Sequence, residues 1–125
     1  MTQKLFLQCT SGAVAVVCTL MFAAPASAMT IRELRALAKS DRKQGENFVR
    51  YYQVGLMEGA LDAHAQAVRE GAKPFICTGD RRLEPRMAEG LFDTELKRNA
   101  DVYEADMPAQ LVMTNALSNV YPCSN

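Results

Sequence analysis

The side chains best suited to chemistry in this sequence are one histidine and a few cysteines. The 125-residue chain contains a single histidine, His64, and four cysteines. A histidine acts as a catalytic base when a nucleophile and an orienting group lie within reach. Asp62 and Glu58 are its acidic neighbours in sequence, but side chains two or six positions apart point away from each other on a helix. We therefore expect His64 to be structural or solvent-facing, and we predict no catalytic residue.

Metal and phosphate chemistry also lack their usual sequence patterns. A structural zinc site takes four ligands, and a pair of cysteines with one histidine cannot complete such a set without carboxylates. The sequence contains no H-E-x-x-H motif, no glycine-rich phosphate loop and no calcium-binding loop. These absences favour a protein that is not an enzyme and that uses neither metal nor cofactor.

The N-terminal segment has the three parts of a secretory signal peptide. Lys4 supplies a positive charge, an apolar stretch follows at residues 13–24, and Ala26-Ser27-Ala28 is an A-x-A cleavage site. We predict a signal peptide over residues 1–28 and export to the periplasm. One alternative is a transmembrane anchor, but the uninterrupted apolar run at residues 12–26 is shorter than the roughly 20 residues that a bilayer requires. Lipid attachment at Cys18 is a lesser alternative.

Cleavage of that segment leaves residues 29–125 as one small domain with two cysteines, Cys77 and Cys123. Thiols are oxidised in the periplasm, and two cysteines allow only one pairing. We therefore predict one disulfide, and reactive or metal-binding thiols are the alternative. On the chain-entropy model, a closed loop of this length contributes about 4 kcal/mol of stability.

The balance of charges argues against two classes of partner. The whole chain has 14 basic and 14 acidic residues, and loss of Lys4 leaves the mature part with a slight negative charge. Such a chain has no basic surface for nucleic acid, so we predict no nucleic-acid partner. We also predict no membrane association after signal cleavage.

The spacing of apolar residues predicts an all-α fold, a compact bundle of about four helices with one disulfide. Thr30 and Glu33 form a capping box that starts the first helix. The predicted helices begin near residues 30, 46, 85 and 108, and Gly71 and Pro122 are among the residues that end them. No alternating strand pattern of useful length occurs.

Between the second and third predicted helices, Phe75-Ile76-Cys77 predicts a short buried stretch that leads into a turn at residues 78–80. The disulfide would then join the end of the last helix to the segment after the central one. Methionine is a flexible apolar side chain that fills gaps in cores. We expect this role for the methionines of the mature part, Met29, Met57, Met87, Met107 and Met113.

A stripe of small side chains follows Tyr52 along the central helix, at Gly55, Gly59, Ala63 and Ala67. A glycine within a helix costs about 0.5–1 kcal/mol relative to alanine, so its position needs a reason. Small side chains let a second helix approach closely. We interpret Tyr52, Gly55 and Gly59 as helix-packing residues within the domain, and a dimer seam is the alternative.

Two charged segments are candidates for contact with a partner. Arg81, Arg82 and Arg86 form the main local concentration of charge, and residues 101–106 form an acidic connector that contains Asp101 and Glu104. Charged surface of this kind is usually solvated, but arginine is also enriched at the centres of protein interfaces.

Three motifs together resemble the Rap/Tai family of type VI secretion immunity proteins. The resemblance implies a small periplasmic all-helical protein, in many cases dimeric, that binds a peptidoglycan amidase effector and blocks its active-site cleft. It implies no catalytic residue in this chain. The motifs are Tyr52-x-x-Gly55-x-x-x-Gly59, Phe75-Ile76-Cys77 and Ala109-x-Leu111-Val112-x-x-x-Ala116-Leu117-x-x-x-Tyr121-Pro122-Cys123.

Other functional classes stay open at this point. An HdeA-like periplasmic acid-stress chaperone is also small, helical and closed by one disulfide, and it would lose its compact state in strong acid as carboxylates take up protons. A generic exported binding protein and a small exported hydrolase are further alternatives. For the immunity-type protein, we expect contact through the loop Thr78–Arg86 or through the acidic connector.

Overall fold

Four helices make up most of the chain that the computed structural model describes, residues 28–124. They are α1 (Ile31–Ser40), α2 (Gly45–Arg69), α3 (Met87–Arg98) and α4 (Ala109–Val120). No β-strand occurs within residues 28–124, where an isolated antiparallel bridge joins Thr30 to Pro108. The predicted all-α bundle is therefore confirmed. The predicted signal peptide lies outside the described residues.

The ends of the helices follow from local sequence. At the start of α1, the Thr30 hydroxyl accepts a hydrogen bond from the Glu33 amide at 3.2 Å, and the Glu33 carboxylate accepts one from the Thr30 amide at 2.7 Å. These bonds lower the pKa of Glu33, the backbone bond most. At the end of α2, Gly71 takes a φ of +98°, which residues with a side chain rarely adopt. The structure confirms both predicted signals.

Helix α2 packs against each of the other three helices, and α4 also packs against α3. Helix α4 contacts both α2 and α3 and contributes five side chains to the centre of the core. They are Ala109, Val112, Met113, Ala116 and Leu117, each 1 % exposed or less. None of the helices in the described range is long and apolar enough to cross a membrane.

The methionines contribute to this core as predicted. Met57 and Met113 are fully buried within it, and Met29, Met87 and Met107 are partly buried against it. Unbranched thioether side chains adapt to the irregular gaps between helices that cross at different angles.

Backbone hydrogen bonds join the segment before α1 to the start of α4. The Met29 carbonyl accepts a hydrogen bond from the Ala109 amide at 2.9 Å, and the Ile31 amide donates to the Met107 carbonyl at 3.0 Å. The Met29 amide also donates to the Tyr52 hydroxyl at 3.1 Å. Tyr52 packs against the core, where the sequence predicted a packing residue. Its hydroxyl also holds the chain at Met29, where the mature part is predicted to begin.

The disulfide joins the predicted cysteines. The Sγ atoms of Cys77 and Cys123 are 1.99 Å apart, and the Cα atoms are 4.9 Å apart. Beside this bond, the Cys77 amide donates to the Tyr121 carbonyl at 2.8 Å. The long connection between α2 and α3 is thereby attached to the end of α4 at its midpoint.

The stretch before Cys77 differs from the prediction. Ile76 is buried, but Phe75 is 49 % exposed and Cys77 is also exposed. The stretch has no regular secondary structure, and only the Ile76 side chain reaches the core. His64 has a structural role here, because its Nε2 accepts hydrogen bonds from the Phe75 and Ile76 amides at 3.1 and 3.2 Å.

The prediction that Gly55 and Gly59 pack against another helix within the domain is wrong. Both glycines are exposed, and a Cβ atom built on either one meets no atom of the described chain within 4 Å. The core lies on the opposite side of α2, where Gln53, Leu56 and Ala60 are buried. The alternative, a dimer seam on this side, stays a prediction.

Gly45 is the glycine that close packing requires. It begins α2 directly after the turn that follows α1, and it is buried against the last turn of α1. A Cβ atom at this position would collide with the Ala38 carbonyl oxygen and would lie 2.9 Å from the Leu37 carbonyl oxygen. Both neighbours are backbone atoms, so they cannot move aside without a shift of the helix.

The environments of Gly45 and Gly55 predict opposite effects on stability when glycine is replaced by alanine. Gly45→Ala should lower the free energy of unfolding by about 2 kcal/mol or more, because the new methyl group overpacks the contact with α1. Gly55→Ala, the matched control within the same helix, should raise it by about 0.5–1 kcal/mol, because alanine favours the helix and meets empty space. Urea denaturation monitored by circular dichroism measures both. Equal effects of the two substitutions would contradict this assignment.

Candidate functional site

A surface depression of the described chain lies beside the disulfide. We call it the disulfide groove; residues 77–81 line one side and residues 120–122 the other, around an open volume of about 550 Å³. Gly79 makes the turn in the loop with a φ of +60°, and the Arg81 amide donates to the Thr78 carbonyl at 3.2 Å. The backbone of this loop is therefore shaped before any partner binds.

Arg81 places a charge over an aromatic ring in this groove. Its guanidinium carbon lies 6.0 Å from the centre of the Tyr121 ring, at the outer limit of a cation–π contact. Arg81 is exposed, whereas Tyr121 is 6 % exposed and belongs to the core. The exposed guanidinium group thus lies near a ring whose position is fixed by the core.

The structure does not bring the predicted partner-binding residues together. Arg81, Arg82 and Arg86 are exposed in the loop Thr78–Arg86, which ends where α3 begins. Asp101 and Glu104 are exposed beyond the other end of α3. A helix of this length spans about 18 Å, so the two sets form separate surfaces.

Part of the charge in both segments is already paired. Arg86 forms an ion pair with Glu84 at 2.6 Å, and Asp106 of the acidic connector accepts from Arg32 at 2.9 Å. These pairs are exposed, and exposed pairs contribute little to stability. Arg81 and Arg82 form no ion pair within the described residues. They are the arginines of the loop that are available for another molecule.

A second, smaller groove of about 250 Å³ lies between α2 and the start of α3. Tyr51 stands at its edge with 78 % of its side chain exposed, and Phe48, one turn earlier, is 47 % exposed. The sequence analysis did not single out either residue. The spacing of Phe48, Tyr51 and Gly55 indicates that they share one side of α2. In the structure, that side faces away from the core.

Glu95 is a buried carboxylate that the sequence analysis missed. Its side chain is 5 % exposed, and it lies on α3 facing α4. One oxygen accepts from the Tyr103 hydroxyl at 2.7 Å and from the Asn99 amide at 2.9 Å, and the other accepts from Asn119 at 3.0 Å. Asn115 in turn donates to the Tyr103 hydroxyl at 2.9 Å.

This network fixes the charge of Glu95. Burial, the largest single influence, raises its pKa, but the hydrogen bonds from Tyr103, Asn119 and Asn99, with a contribution from nearby Arg98, together hold the pKa below its usual value of 4.5. Burial and the adjacent carboxylate raise the pKa of Tyr103. A charged carboxylate with both oxygens occupied is a structural anchor that joins α3, the acidic connector and α4.

Sequence alone gave one weak signal for this network. Glu95 and Asn99 are one helical turn apart, and Asn115 and Asn119 repeat the same spacing on α4. Recognising them as one cluster requires knowledge of how α3 packs against α4.

No group of three or more histidine, cysteine, aspartate or glutamate side chains within residues 28–124 is arranged to hold a metal ion.

Comparison of the chain with protein-family models, with curated proteins and with solved structures finds no match. Membership of the Rap/Tai family therefore stays a prediction that rests on the sequence motifs. The structure places most of the last motif in the core of the protein. Its buried members are Ala109, Val112, Ala116, Leu117 and Tyr121.

The Glu95 network predicts a pH-dependent contribution to stability. Because the pKa is lowered in the folded protein, the contribution is present above the usual value of 4.5 and is lost as the pH falls through the folded-state pKa. At about pH 7, Glu95→Gln should lower the free energy of unfolding by about 2 kcal/mol. The substitution removes the charge that accepts the hydrogen bonds of this network. It also places the amide group of glutamine, a donor, against asparagine side chains that are donors themselves. At about pH 3, below the usual value, the difference should be smaller than at about pH 7.

Urea denaturation at both pH values measures this effect, and Glu89→Gln is the matched control. Glu89 lies on the same helix in an exposed ion pair with Arg50 at 3.0 Å. Its substitution should change stability by less than about 0.5 kcal/mol at either pH. A loss for Glu95→Gln that stays the same at both pH values would contradict the assigned charge.

Proposed function

We propose that this chain is a periplasmic immunity-type protein, which binds a peptidoglycan amidase effector of a type VI secretion system and blocks its active-site cleft. The observation that carries the proposal is the loop Thr78–Arg86, an exposed arginine-bearing loop whose base is fixed to α4 by the disulfide and by the bond from Cys77 to the Tyr121 carbonyl. The resemblance to the Rap/Tai family supplies the class of partner.

A fixed loop suits an inhibitor on physical grounds. Association costs less entropy when the contacting segment is already ordered, and the disulfide, the turn at Gly79 and the Cys77 hydrogen bond order this one. Such a protein acts by complementarity alone, so it needs no catalytic group. A blocked cleft requires a projecting element, and a loop between two helices provides one.

The residues of the disulfide groove also favour the loop Thr78–Arg86 over the acidic connector as the site of partner contact. Arginine and tyrosine are enriched among the residues that dominate binding energy, and both Arg81 and Tyr121 line the groove. In the connector, Asp106 is already paired with Arg32. We therefore place the partner contact at Arg81 and Arg82, with Asp101 and Glu104 outside it.

An inhibition assay tests the proposal directly. The disulfide-bonded protein is titrated into the purified amidase effector encoded beside its gene, with release of peptidoglycan fragments as the readout. Complete inhibition near a one-to-one ratio is expected. The double variant Arg81→Glu, Arg82→Glu should weaken inhibition by about 30-fold or more, because loss of one interface anchor costs about 2 kcal/mol.

Arg42→Glu is the matched control, because Arg42 is exposed in the turn between α1 and α2 and forms no ion pair within the described residues. It should inhibit as well as the unchanged protein. Amidase activity that persists at stoichiometric excess, or the absence of any such effector gene, would overturn the proposed function. Equal losses for both variants would place the contact elsewhere.

The Glu95 network favours a second candidate, an HdeA-like acid-stress chaperone. Protonation of Glu95 in strong acid removes the charge that Tyr103, Asn99 and Asn119 are arranged to bind. The contact between α3 and α4 would then weaken and expose the apolar core, which is how a protein of this class becomes active.

Dye binding in acid tests this second candidate. An acid-stress chaperone should bind an apolar-surface dye several times more strongly at about pH 2 than at neutral pH, and it should suppress aggregation of an acid-denatured client protein. Dye fluorescence that stays flat over this range would contradict the chaperone. Increased dye binding without protection of the client would also contradict it, because acid unfolding alone gives that result.

A further inference from the structure

His64 fixes the segment that follows α2 through an unusual pair of hydrogen bonds. Its Nε2 atom accepts from two consecutive backbone amides, those of Phe75 at 3.1 Å and Ile76 at 3.2 Å. The imidazole ring also contacts the Phe75 ring edge-to-face, with ring centres 4.7 Å apart. One side chain on α2 thus satisfies two donors in a stretch that has no regular secondary structure.

This geometry determines the protonation state of the ring. A nitrogen that accepts hydrogen bonds has a free lone pair, so Nε2 carries no proton and the ring is neutral with its proton on Nδ1. A second proton would go to Nε2, where it would face two N–H groups that are themselves donors. The protonated ring cannot make either hydrogen bond and repels both amides.

No opposite charge compensates for protonation at this place. Within the described chain, His64 forms no ion pair and no hydrogen bond with a carboxylate. The Pro74–Cys77 segment opposite it carries no titratable group, because Cys77 is oxidised. The flanking charged residues, Asp62 and Lys73, are exposed. One turn away along α2, the side chains are apolar: Ala60, Leu61, Ala67 and Val68.

We propose that His64 is a proton-sensitive latch, which fixes the Pro74–Cys77 segment against α2 while the imidazole is neutral and releases it when the imidazole is protonated. The inference stands on the geometry around His64 and does not depend on the proposed partner. Protonation of the imidazole opens the latch, because the protonated ring has no acceptor left for the Phe75 and Ile76 amides.

The disulfide limits how far the segment moves. Cys77 remains bonded to Cys123 and its amide to the Tyr121 carbonyl, so the far end of the segment stays attached to α4. At the near end, the Gly71 and Ala72 amides donate to the Val68 and Ala67 carbonyls, so the chain stays attached to the last turn of α2. Release therefore frees the Phe75 and Ile76 amides locally, while the disulfide and the Cys77 hydrogen bond still hold the base of the loop Thr78–Arg86.

Nuclear magnetic resonance on the disulfide-bonded protein, prepared without a histidine tag, tests the latch. At about pH 8, the nitrogen shifts of His64 should show an unprotonated Nε2. Over the pH range in which the His64 ring is observed to change protonation, the amide signals of Phe75 and Ile76 should move with the same midpoint as the ring. Their hydrogen-exchange protection factors should fall at least about tenfold, while those of Met57 and Met113 stay constant.

Two variants separate the latch from a purely structural role. His64→Gln keeps an acceptor that does not titrate, so Phe75 and Ile76 should stay protected with no pH dependence over this range. His64→Leu has no acceptor, so both amides should be poorly protected throughout. A protonated Nε2 at about pH 8, constant protection across the His64 titration, or an unchanged pH dependence in His64→Gln would each overturn the proposal.

Discussion

The covalent bond between Cys77 and Cys123 is the constraint on which the rest of the structure depends. The connection between α2 and α3, residues 70–86, contains no regular secondary structure and is longer than most connections in small domains. It is ordered because it is attached at its middle by the disulfide and by the bond from the Cys77 amide to the Tyr121 carbonyl. Burial of Ile76 adds an apolar anchor next to these two.

Two polar anchors complete the bundle, and both depend on an unprotonated acceptor. Neutral His64 accepts from the backbone after α2, and charged Glu95 accepts from side chains around α3 and α4. Each of these hydrogen bonds requires an acceptor without a proton, so both anchors depend on side chains that stay deprotonated.

The sequence predicted those features that depend on a few neighbouring residues. The capping box at Thr30 and Glu33, the end of α2 at Gly71 and the pairing of the two mature cysteines each follow from local or compartmental chemistry. The position of Gly55 and Gly59 could not be deduced in the same way. Periodicity shows that residues share one side of a helix, but both a buried and an exposed side have the same period.

The Glu95 network was missed for a related reason. Its members come from α3, the acidic connector and α4, and only the packing of these elements brings them within hydrogen-bond distance. A carboxylate in a helix is usually solvated, so its burial is decided by tertiary structure. Sequence motifs do not reveal a buried polar cluster of this kind until the positions of the helices are known.

The location of the family-like motif bears on what the resemblance can establish. Its buried residues on α4 build the core, and its last residue forms the disulfide. Such residues stabilise the scaffold whichever partner the protein binds. Partner choice depends instead on exposed side chains such as Arg81 and Arg82, and these lie outside the motif. The resemblance therefore argues more strongly for a shared scaffold than for a shared partner, and the identity of the partner depends on the loop that the scaffold presents.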